Sequence, residues 1–126
     1  MRLLLDSHVA LWWLLDSDDL GPVCRSEVSS ADSVFFSPVT PWELGIKRAL
    51  GKLDLPDGFI DELKRTGFTE LPIISTHAES AVLLPPLHRD PFDRMLIAQA
   101  RAESLTLVTA DDVIGRYEVA LLDARA

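Results

Sequence analysis

The sequence predicts an α/β fold, a parallel β-sheet with helices on both faces. Short runs rich in Leu, Val and Phe recur along the chain and are bounded by turn residues. Between them lie longer segments whose apolar residues fall mainly at helical spacing. The two kinds of segment alternate, which calls for βα crossovers and hence parallel pairing. At 126 residues the chain reads as one domain, 1–126, with no repeat, low-complexity tract or Ser/Gly-rich linker dividing it.

The elements follow in order. "RLLL" ends at Asp6 and reads as a buried strand, because a strand covered on both faces loses its polar alternation. "HVALWWLLD" is a helix with almost no polar surface, and "GPVCRSEVSSA" is a helix opened by Gly-Pro. "SVFFSPV" is β-branched and aromatic, a second strand. "TPWELGIKRALGKL" opens on a Thr cap with Pro in the first turn, which puts Glu43 in that turn as well. "LPDGFIDELKRTG" is a helix stopped by Gly, and "FTELPI" is a third short strand. "STHAESAVLLPPL" is a helix closed by Pro-Pro, followed by the "DPFDRMLIAQARAESL" helix. "LTLVT" is the fourth strand, "DDVIGRY" a helical turn and "EVALLDA" the fifth strand.

Composition narrows the function. The net charge is −8 and the pI about 4.7, which excludes nucleic-acid binding through bulk basic charge. It leaves room for metal ions that bridge an acidic protein to phosphate. The single cysteine, Cys24, forms no intrachain disulfide and reads as a small apolar helix residue, so a cytoplasmic location is expected. The apolar N-terminus is broken by Asp6 and His8 and lacks a small-residue cleavage site, unlike a signal peptide. No run of about 18 apolar residues is present, so no membrane span is expected.

The acids carry the chemistry. Asp6 ends the first strand, Glu43 follows the second, and Asp111 follows the fourth. In an open parallel sheet all three lie at the carboxyl edge, where ligands bind. Asp93 has a local explanation: Asp90 suits an N-cap, Pro91 the first helical position, and Asp93 the third place of a capping box. Carboxylates gathered within a few ångströms repel one another, so a cluster makes sense around a hard divalent cation with oxygen ligands.

The segments "LLLDSHVALWWL", "SPVTPWELGIKRALGKLDLP", "LPPLHRDPFDRMLIAQA" and "LTLVTADDVIGRY", in that order, resemble the PIN-domain ribonucleases, specifically the VapC-type toxins of bacterial and archaeal toxin–antitoxin pairs. The resemblance covers nearly the whole chain. It implies a three-layer α/β/α fold with a five-stranded parallel sheet in the order 3-2-1-4-5. It further implies an acidic pocket that binds Mg²⁺ or Mn²⁺ and hydrolyses RNA phosphodiester bonds. By motif position the catalytic and metal-holding acids fall on Asp6, Glu43, Asp93 and Asp111, so Asp93 becomes a site acid as well as a candidate cap. The implied partners are an RNA substrate and a small VapB-type antitoxin. The family's first motif commonly reads Asp-Thr-His; "DSH" keeps a hydroxyl at Ser7. "TADD" offers two carboxylates, of which Asp111 takes the family position and Asp112 is left to cap the next turn or support the first.

The remaining candidates carry two readings each. Thr109 suits a bond to a ligand or metal-bound water, or a structural bond at a strand end. Lys47 suits an i,i+4 pair with Glu43, or a role in orienting Glu43 or holding phosphate. Arg89 and Arg94 suit RNA phosphate contacts or solvated surface. His8, His77 and His88 are scattered, form no ligand trio, and read as packed or exposed; His8, next to Asp6, could also stand near substrate. Trp12, Trp13 and Trp42 suit base stacking, but their apolar neighbours favour a core or subunit interface, and the "HVALWWLL" helix favours a homodimer. Among other classes, a receiver-like signalling domain would place an Asp after the third strand and a Lys after the fifth; neither is present. A haloacid-dehalogenase-type phosphatase would carry Asp-x-Asp where "DSH" stands. A non-catalytic PIN binding module sits poorly with all four acids being retained.

Overall fold

The computed structural model describes residues Met1–Ala126. Five parallel strands form one sheet: β1 (Arg2–Leu5), β2 (Ser33–Phe36), β3 (Thr69–Glu70), β4 (Thr106–Thr109) and β5 (Leu121–Asp123). Their order is β3-β2-β1-β4-β5. β1 and β4 are central, and the switch point lies between them. Leu5 pairs with Val108, so Asp6, the residue after β1, and Thr109, the last residue of β4, emerge side by side. Burial on both faces explains the Leu run of β1 and the Leu-Val pair at the centre of β4: Leu3, Leu4, Leu5, Leu107 and Val108 are all inaccessible to solvent. β3 is an exposed two-residue edge, shorter than the six residues predicted, because only Thr69 and Glu70 find ladder partners, on Phe35 and Phe36.

Six helices complete the layers: α1 (Ser7–Leu14), α2 (Pro22–Ser30), α3 (Val39–Ala49), α4 (Phe59–Arg65), α5 (Ser75–Leu83) and α6 (Pro91–Ala102). Strand alternation divides the core in two. Leu3, Leu5 and Val108 pack with α1, α2 and α4; Leu4 and Leu107 pack with α6 and the start of α3. α3 touches both α1 and α6. Gly21 precedes α2 where the backbone passes close: the amides of Val23 and Cys24 donate to the Ala126 carbonyl at 3.1 and 3.2 Å, and a Cβ on Gly21 would meet that oxygen at 1.9 Å. No helix is long and apolar enough to cross a membrane.

Candidate active site

Asp6 leaves β1 and immediately caps α1, its Oδ1 accepting from the Val9 amide at 3.0 Å. Oδ2 accepts the Thr109 hydroxyl at 2.5 Å. Of the two readings of Thr109, the structural bond is therefore present, and it is made to a site acid. Burial pushes the Asp6 carboxyl above its usual range, and the charge of Glu43 adds to this. The Thr109 and Val9 hydrogen bonds and His8 oppose it.

Glu43 sits in the second turn of α3, not the first as predicted. The helix starts at Val39 after Pro38, which gives it no side-chain cap, and the Val39 amide donates to the Ser37 hydroxyl at 3.1 Å; Thr40, the expected cap, lies inside the first turn. The Thr40 hydroxyl instead meets Ser7 Oγ at 3.3 Å, and both residues are buried, which commits the Ser7 hydroxyl to packing. Glu43 is only 4 % exposed. Its Oε2 accepts from Lys47 Nζ at 3.1 Å, the i,i+4 pair, while its buried Oε1 has no hydrogen-bond partner. Lys47 Nζ also lies 3.4 Å from His8 Nε2.

Asp93 stands in the first turn of α6, but the cap is Asp90, whose Oδ1 accepts from the amides of Phe92 at 2.8 Å and Asp93 at 3.4 Å. The expected capping box is left open. The Asp90 amide faces His88 Nδ1 at 3.4 Å, and Asp93 Oδ2 lies 2.9 Å from His88 Nε2. The Asp93 carboxyl is pushed up to about 7, chiefly by burial, then by the charges of Asp90, Glu43 and Asp6, with His88 opposing. Asp111 bonds His88 Nε2 through Oδ2 at 3.0 Å and accepts the Val113 amide through Oδ1 at 2.8 Å. Asp111 is thus the turn cap expected of Asp112, which is exposed.

Asp6, Glu43, Asp93 and Asp111 all line one open cleft of about 350 Å³, with His8, Lys47 and His88. A larger recess of about 650 Å³, lined by α5, α6 and the turn Ile114–Arg116, contains none of the acids. Six of its eleven lining residues are hydrophobic, against two of ten in the smaller cleft, where the four acids gather. His88 went unpredicted at the site; its only local signal is a position five residues before Asp93, beyond a Pro-Pro turn. Arg94 is half-buried, and its guanidinium is taken up by backbone carbonyls such as Ala81 at 2.8 Å and Leu84 at 2.9 Å rather than left for a phosphate. Arg89 is exposed. Trp12 lines the cleft, Trp13 packs on Phe68, and Trp42 is 62 % exposed with its ring edge-on to Phe92.

The donor set fits a hard divalent cation. An unpaired, buried carboxylate oxygen on Glu43 and an Asp93 carboxyl that cannot shed its proton at the ordinary pH both mark uncompensated negative charge. His88, Asp93 and Asp111 also offer ligand atoms within 4.8 Å of one another.

The family model of the PIN domain matches residues 3–120. "Ribonuclease VapC22" of Mycobacterium tuberculosis is 30% identical over 116 residues, covering 86% of this chain and 85% of that protein. Solved structures share the fold at low identity. The VapBC2 complex of Rickettsia felis, bound to a DNA fragment from its promoter, aligns with a TM-score of 0.69 at 16% identity, over 97% of this chain and 98% of the other. FitAcB from Neisseria gonorrhoeae aligns with a TM-score of 0.63 at 21% identity, over 97% of each chain. A toxin–antitoxin complex from Klebsiella pneumoniae aligns with a TM-score of 0.67 at 14% identity, over 97% of each.

Proposed function

This chain belongs to the PIN-domain family, and from that premise we propose that it is a Mg²⁺- or Mn²⁺-dependent endoribonuclease acting as the toxin of a toxin–antitoxin pair. One observation carries the metal dependence: the unpaired Glu43 Oε1 sits in a cleft with four further carboxylates, Asp6, Asp90, Asp93 and Asp111, of which Asp93 is pushed up to about 7. The substrate class follows the relative named a ribonuclease, and the paired antitoxin follows the neighbours solved as toxin–antitoxin complexes.

Asp6, Glu43, Asp93 and Asp111 would hold the cation. When bound, it supplies Lewis-acid activation of a water nucleophile and neutralises charge on the phosphate. The chain's own groups prepare the site. Thr109 and the Val9 amide fix the Asp6 carboxylate, and Lys47 fixes one oxygen of Glu43 and leaves the other free. Burial first, and then the charges of Asp90, Glu43 and Asp6, lift the Asp93 carboxyl to about 7, and a cation held among these acids would favour its ionised form. Lys47 and His8 stand at the cleft wall, suited to phosphate oxygens approaching the acids.

The antitoxin would be a small VapB-type protein that supplies an amphipathic helix and a cationic segment. Trp42, Ile46 and Leu50 make an exposed apolar stripe on α3, beside the cleft acid Glu43. The toxin itself is a homodimer in this reading. Cleavage of labelled single-stranded RNA by the purified chain, with Mn²⁺ and with excess chelator, tests the activity. Metal-dependent cleavage lost in Asp93→Asn supports it. Absence of cleavage in the metal-loaded protein would return the chain to a non-catalytic PIN module.

A further inference from the structure

We propose that Tyr117 and Arg94 are positioning residues of the candidate site, which fix the 84–90 loop so that the His88 imidazole stands between Asp93 and Asp111. The inference deepens the ribonuclease reading and rests on it for its activity arm. Neither residue lines the acidic cleft. Tyr117 is buried at the end of the turn after Ile114–Arg116, and its hydroxyl is a hub. It donates to the Pro85 carbonyl at 2.7 Å and accepts from the amides of Leu87 at 3.2 Å and His88 at 2.8 Å. Arg94 completes the hold from α6. Its Nη2 bonds the Ala81 and Leu84 carbonyls at the end of α5, and its Nη1 bonds those of Pro85 at 3.0 Å and His88 at 3.3 Å.

Both peptide groups of His88 are therefore held, one by each side chain. A Pro-Pro segment has few amides of its own with which to form a regular turn, so side chains must supply the missing partners. Arg94 suits the task because its planar fork meets several carbonyls at once and stays charged. With the loop fixed, the Asp90 amide faces His88 Nδ1 at 3.4 Å and the Nε2 edge of the ring is turned to the two carboxylates. That Nε2 lies 2.9 Å from Asp93 Oδ2 and 3.0 Å from Asp111 Oδ2. The imidazole thereby sets the spacing of two acids that come from different elements, α6 and the segment after β4. A hydroxyl remote from the cleft controls the cleft's geometry through one side chain.

The test compares wild type, Tyr117→Phe, His88→Gln and the double variant of the full chain. Long-range ¹H–¹⁵N spectra report the imidazoles, with the His88 signals assigned by their loss in His88→Gln. Tyr117→Phe should shift the His88 signals while leaving those of His77, which is held separately by the Ile74 amide and Glu103. It should weaken Mn²⁺ binding at least fivefold by calorimetry and slow RNA cleavage at least tenfold. In the His88→Gln background the same substitution should change each by less than twofold. Unmoved His88 signals, or an equal loss in both backgrounds, would overturn the proposal. If Tyr117→Phe does not fold, amide exchange in wild type decides: slow exchange at Leu87 and His88 is expected, and exchange at the unprotected rate would overturn it. Shifted His88 signals in a protein that neither binds Mn²⁺ nor cleaves RNA would uphold the positioning and sink the ribonuclease reading instead.

Discussion

The Thr109 hydroxyl donates to Asp6 Oδ2 at 2.5 Å across the seam between β4 and β1, one residue beyond the paired Val108 and Leu5. The two central strands thus hold a site acid by a side-chain bond as well as by the sheet. Thr109→Val keeps the shape and removes the donor. The metal-free protein should lose about 1–2 kcal/mol, since a buried carboxylate loses a partner, and RNA cleavage should fall, while Thr109→Ser keeps both. Denaturation in chelator and initial cleavage rates on the same preparations check this.

Asp93 makes the metal-free protein pH-sensitive in a defined direction. Its carboxyl is pushed up to about 7 in the folded chain, against an ordinary value of 3.8. The folded state therefore holds a proton that the unfolded chain has lost, and stability falls as pH rises from about 4 to about 7. Facing it are Asp90, Glu43, Asp6 and His88. In chelator, Asp93→Asn should be more stable than wild type above pH 7, and the two should converge as pH falls to about 4. The helix cap survives, because Asp90 provides it. Thermal midpoints across pH check this, and a variant less stable at every pH would restore a capping role for Asp93.

The central strands were legible because burial on both faces leaves a leucine run in β1 and a Leu-Val pair between β-branched threonines in β4. β3 was overread, since "FTELPI" has the composition of a strand but only Thr69 and Glu70 reach a partner. Asp6 and Asp111 were legible as residues after central strands, and Glu43 was placed a turn early because α3 opens at Val39, after Pro38, rather than after Thr40. Asp111 and Asp112 are chemically identical neighbours, and only the backbone decides which one turns inward. Asp93 needed the family resemblance, and His88 was missed. Both depend on the 84–90 loop, whose path is set by Arg94 and Tyr117, and the hydroxyl of Tyr117 acts from about 30 residues along the chain.

Divalent metal should stabilise the folded chain. At a free Mn²⁺ concentration of about 100 times the dissociation constant, wild type should gain about 2.7 kcal/mol. Asp6→Asn and Asp93→Asn should lose most of that gain without unfolding, because each removes a ligand and relieves repulsion together. Binding should also release protons at neutral pH, as Asp93 ionises. Midpoints with and without Mn²⁺, and calorimetry in buffers of different ionisation enthalpy, measure both. A wild-type midpoint indifferent to Mn²⁺ would remove the metal from the mechanism.

The last prediction separates two routes to inhibition by an antitoxin. Trp42, Ile46 and Leu50 are 62 %, 40 % and 63 % exposed, and their i, i+4, i+8 spacing puts them on one face of α3. An amphipathic helix laid on that stripe would lie beside Glu43, with its flanking segment near the acidic cleft. Ile46→Ser with Leu50→Ser removes the apolar surface and touches none of the four acids. The double variant should bind the product of the neighbouring reading frame at least tenfold more weakly and cleave RNA at the wild-type rate. In the wild-type complex, an arginine inserted among Asp6, Glu43, Asp93 and Asp111 would compete with metal through bidentate bonds. Mn²⁺ affinity should then fall on complex formation. Undiminished Mn²⁺ uptake by an inhibited complex would show that the antitoxin blocks RNA access and leaves the carboxylates free, while a complex indifferent to the α3 substitutions would move its docking surface elsewhere.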